Sequence, residues 1–266
     1  MDTHTHAIRI LPGSPCRYLL SLEKRPCYVI SSNFLALQNA GMERYRQILV
    51  DWLVGVGSHF HLLQETIFLA VELLDRYLQK VPVARKQLQL VGTTCMWVAA
   101  KYEEIYPPSV TEFAHMTDNT FQKEDIREME QMILKAMEYH LGKPISLRFL
   151  RRYSKVGDAD VREHNLAKYI LECALHVAAA SSLDPSHRAA AALYLSRSLL
   201  GTSETVWSPA MAAYSSYSKD SLQEAVVQVR AATCTVHRHP TLKYTKLKYE
   251  KERYLKVSRL SLLQNL

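Results

Sequence analysis

Residues 88–108 read LQLVGTTCMWVAAKYEEIYPP, and this stretch decides the fold class. Apolar residues recur in it at helical spacing, at Leu88, Val91 and Cys95, and the central CMWVAA is apolar on nearly every face of a helix. A helix of that kind has to be surrounded by other helices. The two prolines that close the stretch cannot continue a helix, so they mark its end. The stretch therefore predicts the central helix of a helical bundle.

The same helical spacing of apolar residues continues along most of the chain, and strand-like alternation is nearly absent. After Pro144 the order of helix lengths begins again, and a second wholly apolar segment, AAAALYL, lies at 189–195. We therefore predict an all-α protein with two successive bundles of five helices each. The predicted units are an N-terminal segment, a first bundle, a second bundle and a basic C-terminal tail, over residues 1–41, 42–142, 143–240 and 241–266.

The positive charge of the chain is concentrated at its C-terminus. The sequence has 33 lysines and arginines against 26 acidic residues, which gives a formal net charge of +7. From Arg230 onward nine basic residues stand against Glu250 and Glu252, so the remainder of the chain sums to zero. A basic tail suits contact with nucleic acid or an acidic protein surface, but we expect a solvated tail as the simpler case.

Several kinds of site find no support in the residue patterns. The eight glycines are scattered, whereas phosphate and dinucleotide loops need them clustered. The five cysteines include no C-x-x-C pair, which fits free thiols in a reducing compartment. His4 and His6, like His237 and His239, lack nearby cysteine or carboxylate clusters, so we expect no metal site. We also expect no cofactor, no catalytic site and no membrane span, and a protein located in the nucleus and cytoplasm.

Residues 42–56, MERYRQILVDWLVGV, carry more apolar surface than one core-facing stripe needs. On a helix, Tyr45, Leu49 and Trp52 fall on one face, while other apolar residues cover further faces. The surplus either packs against the N-terminal segment or forms an exposed groove for a partner peptide. Periodicity alone leaves both interpretations open.

Lys101 follows a helix face on which an unpaired ammonium would be costly. Glu130 lies in the acidic stretch EDIREME, at the polar edge of the next amphipathic segment, and is the expected partner. Such a pair either staples two helices together or also hydrogen-bonds the main chain of a docked protein. The pattern does not decide between these two roles.

Four segments carry a family resemblance: RQILVDWLV, LLQETIFLAVELLDRYL, LQLVGTTCMWVAAKYEEIYPP and MTDNTFQKEDIREMEQMIL. Together with the segment HLGKPISLRFLRRYSKVGDADVREHNLAKYI they resemble a cyclin box and the start of its second repeat. LGKPISLRFLRRYSK, at 141–155, resembles B-type mitotic cyclins more than the A type. The resemblance extends over about residues 42–240 and is weaker from about 174 onward. It implies a regulatory subunit that binds and activates a cyclin-dependent serine/threonine kinase at the G2/M transition and helps to select its substrates.

The resemblance implies a kinase-binding face around Lys101 and Glu130. In cyclins, the lysine and glutamate at these positions are paired and hydrogen-bond backbone groups around the movable helix of the kinase. The matching apolar positions form a pocket for an isoleucine of that helix. Those positions here are Val98, Tyr102, Leu134, Tyr139 and Leu141.

The resemblance also implies a docking patch for arginine-x-leucine peptides of substrates or inhibitors. The matching positions are Tyr45, Arg46, Leu49, Trp52 and Gln89. Tyr45 stands where the family usually has methionine. Gly55 and His59 stand where A-type relatives have carboxylates that pair with the arginine of the peptide. We therefore expect an apolar groove whose selection of arginine is weakened.

Two other functions stay open at the level of sequence. A cyclin-fold scaffold that does not activate a kinase is compatible with the altered docking helix and the weaker second half. The second alternative is a nucleic-acid-associated transcription factor with a cyclin fold. Its support is the segment 243–259, KYTKLKYEKERYLKVSR, whose tyrosines could stack on bases while its lysines contact phosphates. The neutral charge of the rest makes nucleic acid the less expected partner. Arg17–Leu20 fits the minimal R-x-x-L degradation pattern, which is too short to be decisive.

Overall fold

The computed structural model describes residues 15–201, 205–264 and 266. Within these ranges the regular elements are helices, as the sequence predicts, and there are no strands. Short 3-10 turns lie between some of the α-helices and after the last one. In chain order the α-helices are α1 (Pro15–Glu23), α2 (Met42–His59), α3 (Gln64–Lys80), α4 (Leu88–Glu103), α5 (Val110–His115), α6 (Lys123–Ala136), α7 (Ser146–Val156), α8 (Val161–Ala174), α9 (Ala178–Ser181), α10 (Pro185–Leu200), α11 (Pro209–Ser215), α12 (Gln223–Arg238) and α13 (Tyr244–Tyr249).

The first bundle consists of α2 to α6, packed around α4. Helices α2, α3 and α6 all contact α4. From Leu88 to Ala100, buried side chains lie on every face of α4, among them Val91, Cys95 and Met96. After the proline pair, Ser109 begins α5 with a reciprocal capping box, in which its hydroxyl accepts the backbone N–H of Glu112 and the Glu112 carboxylate accepts that of Ser109. The prediction that α4 is the central helix of the first bundle is therefore confirmed.

The second bundle repeats this plan around α10. Helices α7, α8 and α12 contact α10. The four alanines at 189–192 are fully buried, and their small side chains leave room for close approach of the neighbouring helices. The bundle contains the five helices of the sequence-based prediction, α7, α8, α10, α11 and α12, together with the single turn α9, which has too few residues to give a periodic signal.

A buried cluster of charges joins the two bundles. Glu72 on α3 accepts hydrogen bonds from Lys143 at 2.5 Å and from Arg188 on α10 at 2.6 Å, and all three side chains are buried. Burial alone would raise the pKa of Glu72, but the two cations outweigh it and hold that pKa below its ordinary value. The relative placement of the bundles is therefore fixed by ionic hydrogen bonds in the interior.

The C-terminal segment packs onto the fold, which corrects the expectation of a solvated tail. Helix α13 contacts α2 and α8, and Tyr249, Val257 and Leu263 are fully buried. Lys248 is also buried and donates to Glu172 on α8 at 2.7 Å. The segment is basic in total, but its apolar residues and this lysine face the bundles. Its charge count therefore did not indicate its burial.

The N-terminal helix α1 is attached to the second bundle. Glu23, its last residue, accepts hydrogen bonds from the backbone N–H of Ser186 at 3.0 Å and from the Ser186 hydroxyl at 2.6 Å. Burial raises the pKa of Glu23 to about 7. The R-x-x-L stretch at 17–20 lies within α1, and the histidines at 4 and 6 lie outside the described residues.

In the part of the chain that the structure describes, no helix is both long enough and apolar enough to cross a membrane. The same residues contain no group of three or more histidines, cysteines and carboxylates that could hold a metal ion. The five cysteines are free thiols, and burial raises the pKa of Cys95 and Cys173 well above that of an ordinary thiol. Those two thiols are therefore inert core residues rather than nucleophiles or ligands.

Candidate functional site

A lysine–glutamate pair lies at the C-terminal end of α4. The Lys101 ammonium donates a hydrogen bond to Glu130 on α6, which is the partner that the sequence predicts. The Lys101 and Glu130 side chains are 37% and 17% exposed, so the pair is more accessible than the apolar pattern around Lys101 suggests. The ammonium also lies 3.6 Å from the ring centroid of Trp97. Since an ammonium has three donors, the pair retains capacity to hydrogen-bond carbonyl groups of a partner.

The apolar residues expected around this pair divide into a buried base and an exposed rim. Tyr102 and Tyr139 are 52% and 69% exposed, which is high for side chains of their size. Val98 is buried, and Leu134 and Leu141 are partly buried against the core. The structure therefore supplies both the floor and the rim of a shallow apolar surface.

The turn after α6 brings these residues next to the end of α4. Glu138 and Tyr139 have φ values of 52° and 59°, so left-handed backbone reverses the chain there. The backbone N–H of Tyr139 donates to the Leu134 carbonyl at 3.0 Å. A Cβ atom on Gly142 would lie 2.5 Å from the Tyr102 hydroxyl oxygen, so glycine permits this contact. The residues predicted from α4, α6 and this turn therefore share one surface.

Sequence reasoning missed three residues at or just after the C-terminal end of α4. Ile105 and Tyr106 are almost fully exposed in the loop that follows α4. The signal that could have found them is the proline pair, because apolar residues between a helix end and two prolines have no core face to join. The apolar pattern predicts Trp97 as a core residue only. Its additional contact with Lys101 could have been predicted, because the two residues are four positions apart on one helix.

A second surface is a groove of about 300 Å³ between α2 and the start of α4. The residues that line it are Tyr45, Ile48, Leu49, Trp52, Arg85, Leu88 and Gln89. Four of the residues predicted for the docking patch therefore lie together. Ile48, Arg85 and Leu88 were not predicted, since helical spacing from Tyr45 does not report on the segment before α4.

Arg46 lies elsewhere, which corrects its assignment to the docking patch. Its side chain is fully buried and forms two hydrogen bonds with Asp75 on α3, at 2.5 and 2.6 Å. It also donates to the His176 carbonyl and to the Ser181 hydroxyl, each at 3.1 Å. One position beyond Tyr45 is a rotation of about 100° around a helix, so Arg46 points into the junction of the bundles.

Beyond Trp52 a smaller cavity continues the groove toward the C-terminal segment. It is lined by Trp52, Gly55, Val56, His59, Met116 and Tyr244. A Cβ atom on Gly55 would lie 3.0 Å from ring atoms of Tyr244. A side chain at position 55 would therefore crowd the Tyr244 ring, and none of the described residues that line this cavity is a carboxylate.

Asp51 on α2 fixes Tyr244 in that place. Its carboxylate accepts the backbone N–H groups of Lys243 at 2.9 Å, Tyr244 at 3.1 Å and Thr245 at 3.3 Å. His176 Nε2 lies 3.5 Å from the same carboxylate. Burial acts to raise the pKa of Asp51, but His176 and the backbone donors bring it below its ordinary value. The start of α13 is thus held against α2 by an ionised, buried group.

Two family models match consecutive parts of the chain. The model described as "Cyclin, N-terminal domain" matches residues 16–142, and the one described as "Cyclin, C-terminal domain" matches residues 144–263. Together these ranges contain the residues around the Lys101–Glu130 pair, the groove residues and the C-terminal segment that packs on α2.

Curated relatives with similar sequences are G2/mitotic-specific cyclins of the B type. The chain is 42% identical over 249 residues to cyclin-B of Marthasterias glacialis, with 93% of this chain and 62% of the relative covered. It is 45% identical over 244 residues to cyclin-B2 of Oryzias javanicus, with 91% and 62% covered. For cyclin-B2 of Gallus gallus the identity is 44% over 224 residues, with 84% and 55% covered. The chain thus spans less than two thirds of the length of these relatives.

Solved structures with the same fold have lower sequence identity. A viral cyclin from herpesvirus saimiri superimposes with a TM-score of 0.68 at 22% identity, covering 81% of this chain and 95% of the viral one. A chain of the yeast RNA Pol II CTD kinase CTDK-1 complex gives a TM-score of 0.68 at 14% identity, covering 86% and 82%. At these identities the likeness establishes the fold alone.

Proposed function

Because the chain belongs to the cyclin family, we propose that it is a B-type regulatory subunit that binds and activates a cyclin-dependent serine/threonine kinase and thereby controls the G2/M transition. The observation that carries the proposal is the Lys101–Glu130 pair, supported by Trp97 and flanked by the exposed rings of Tyr102 and Tyr139. In this proposal the chain contributes binding energy and no catalytic chemistry of its own.

Activation follows from what a kinase requires. The lysine of its third strand has to pair with the glutamate of a movable helix. A surface that binds this helix only in its inward position shifts the equilibrium toward the active state. To raise the active state of the kinase from 1% to 99% of the population, the chain has to bind that state more tightly than the inactive one by about 5.5 kcal/mol. Apolar burial on Tyr102 and Tyr139 and hydrogen bonds from Lys101 and Glu130 are the proposed sources of that affinity.

The fold makes this surface stiff, which such a role needs. Lys101 is carried by the central helix α4, and Glu130 by α6, which packs directly on it. The buried cluster of Glu72, Lys143 and Arg188 holds the second bundle in place behind them. A partner helix therefore meets a preformed surface and does not have to order it, which preserves binding energy for the conformational shift.

We further propose that the groove beside Trp52 binds peptide segments of substrates or inhibitors of the kinase. Its lining is mainly apolar, with the Gln89 amide able to donate to and accept from a peptide main chain. The proposed sites of action are the nucleus and the cytoplasm, where the substrates of a mitotic kinase are located.

Direct binding of nucleic acid through the C-terminal segment is not favoured. Tyr249 is fully buried, and the Tyr254 ring packs against it with centroids 4.7 Å apart. Lys248 is engaged by Glu172 in the interior. These groups are therefore not free to stack on bases or to follow phosphates, which was the support for that alternative.

Co-purification with candidate cyclin-dependent kinases, followed by phosphorylation of histone by the complex, tests the proposal. We expect a stable complex and a kinase activity that depends on this chain. A complex without activity would instead indicate a scaffold. Salt-sensitive retention on DNA in the absence of any kinase binding would favour the nucleic-acid alternative, since phosphate binders lose affinity steeply with salt.

A further inference from the structure

We infer that the groove between α2 and α4 selects peptides with a glutamate or aspartate beside an apolar anchor, and disfavours peptides with arginine at that place. The inference rests on the proposed docking function of the groove and specifies the chemistry of its ligand. It is carried by Arg85 in the groove, by Lys243 beside Tyr244, and by the residues that line the groove and the cavity next to Gly55.

One cation lines the groove, and a second lies beside a residue of the cavity that continues it. Arg85 lines the groove, is exposed, and holds its guanidinium carbon 4.1 Å from the ring centroid of Tyr45. Lys243 is also exposed, and its ammonium lies 5.3 Å from the ring centroid of Tyr244, which lines the smaller cavity. Neither cation forms an ion pair with any of the residues described. Both are therefore available to an acidic side chain of a bound peptide.

No carboxylate lines the groove or the cavity that continues it, as far as the described residues go. A carboxylate-bearing side chain at position 55 would also crowd the Tyr244 ring, because its Cβ atom would lie only 3.0 Å from ring atoms. An arginine of a peptide would meet Tyr244 and Lys243 at this place. Like charges close together are unfavourable, so the local potential opposes arginine.

Aromatic faces are the other feature that could attract an arginine, through cation–π contact. The Tyr45 ring in the groove and the Tyr244 ring in the smaller cavity already have cations of the chain over them, Arg85 and Lys243. A second cation would have to displace the first, with no carboxylate gained. The aromatic residues therefore do not restore a preference for arginine.

The floor of the groove provides the apolar part of the specificity. Ile48 is 46% exposed on α2, and Leu88 from α4 and Trp52 lie beside it. A leucine-sized side chain buried here is removed from water, while Gln89 offers one donor and one acceptor to the peptide main chain. The ligand that fits is an extended segment with one aliphatic anchor and acidic neighbours.

The test is peptide binding to the full chain, measured by fluorescence anisotropy. Three synthetic peptides carry the same leucine anchor and differ only in having glutamate, glutamine or arginine on its two sides. We expect the glutamate peptide to bind about two- to tenfold more tightly than the arginine peptide at low salt. High salt should reduce this ratio toward one, because it shortens the screening length to a few ångströms.

Arg85→Glu tests the assignment within the groove, and Lys86→Glu is its matched control. Lys86 is exposed in the same 3-10 turn but does not line the groove. We expect Arg85→Glu to reverse the order of the glutamate and arginine peptides, and Lys86→Glu to preserve it. Thermal melts of both variants should match that of the parent, since neither residue is buried.

Equal binding of the glutamate and arginine peptides, tighter binding of the arginine peptide, an equal effect of the two charge reversals, or no binding of any peptide would each overturn the inference. Co-purification of a kinase with the same protein preparations is recorded in parallel. A bound kinase with a negative peptide result overturns the groove inference alone, and the reverse pattern overturns the proposed activation alone.

Discussion

The Lys101 ammonium lies 3.6 Å from the ring centroid of Trp97, which precedes it by one turn on α4. Trp97 is itself packed in the first bundle, so a core residue sets the position of a surface charge. The negative face of the ring and the Glu130 carboxylate act on the same ammonium from α4 and α6. The proposed kinase face is thus an extension of the core of the bundle.

Trp97→Leu should weaken kinase binding while Trp97→Phe should largely preserve it. Loss of a cation–π contact at a partly exposed site corresponds to about 0.5–1 kcal/mol, or two- to fivefold in affinity. Titration of the kinase against each variant, monitored by its activity, measures the difference. Equal affinities of the leucine and phenylalanine variants, with equal melting temperatures, would show that the ring does not position Lys101.

Glu72→Gln should destabilise the whole protein. The substitution leaves Lys143 and Arg188 buried without a countercharge, a situation that typically costs about 3–5 kcal/mol. Each kcal/mol should lower the melting temperature by about 2–4 °C in a chain of this size. Glu252→Gln is the matched control, because Glu252 pairs with Lys256 at the surface, where loss of a carboxylate has little effect. Equal melting temperatures of the two variants would contradict the role given to the buried cluster.

The attachment of α1 should depend on pH through Glu23. Burial raises the pKa of this carboxyl from 4.5 to about 7 in the folded protein. The folded state therefore holds a proton that the unfolded state has lost, and stability falls as the pH rises between these values and is flat above them. The slope is at most about 1.4 kcal/mol per pH unit. Glu23→Gln should flatten this part of the curve, as measured by urea unfolding at several pH values; an unchanged slope would contradict it.

The Lys101–Glu130 pair of the proposed kinase face was predictable from the sequence because its signals are local, whereas the apolar positions around it came from the family resemblance. Lys101 directly follows the apolar residues of its own helix, α4, and Glu130 lies on an amphipathic helix whose polar edge is evident from its period. The all-round apolar character of α4 and α10 likewise predicted their central positions. Where a residue's environment is set by its own helix, periodicity was sufficient.

The C-terminal segment and Arg46 were not predictable in this way because their partners are distant in sequence. Lys248 is held by Glu172, and Tyr249 by Gln64, which is 185 residues away. Arg46 belongs to the same helix as the groove residues, and only the position of Asp75 on the neighbouring helix shows that it faces inward. A charge count treats such buried cations as solvated ones.

Gly55→Glu should destabilise the protein when it is made alone and should change the charge preference of the groove when it is combined with Tyr244→Ala. Its Cβ atom would lie 3.0 Å from the Tyr244 ring, so the single variant should melt at a lower temperature than the parent. Adding Tyr244→Ala removes the clash and should leave a carboxylate at the end of the groove. We expect this double variant to prefer the arginine peptide, which Tyr244→Ala alone should not do. A double variant that still prefers the glutamate peptide would show that position 55 does not determine charge selection.

The most direct test of kinase activation is the affinity of the kinase for Lys101→Ala and Glu130→Ala. Each variant leaves one charged group of the pair without its partner in the proposed interface, which typically costs 2–5 kcal/mol or about thirtyfold or more in affinity. Lys256→Ala, which breaks an exposed lysine–glutamate pair remote from this face, is the control. We predict that both face variants lose kinase binding and histone phosphorylation while the control keeps them. Undiminished kinase binding by both face variants would contradict the proposed function of this surface.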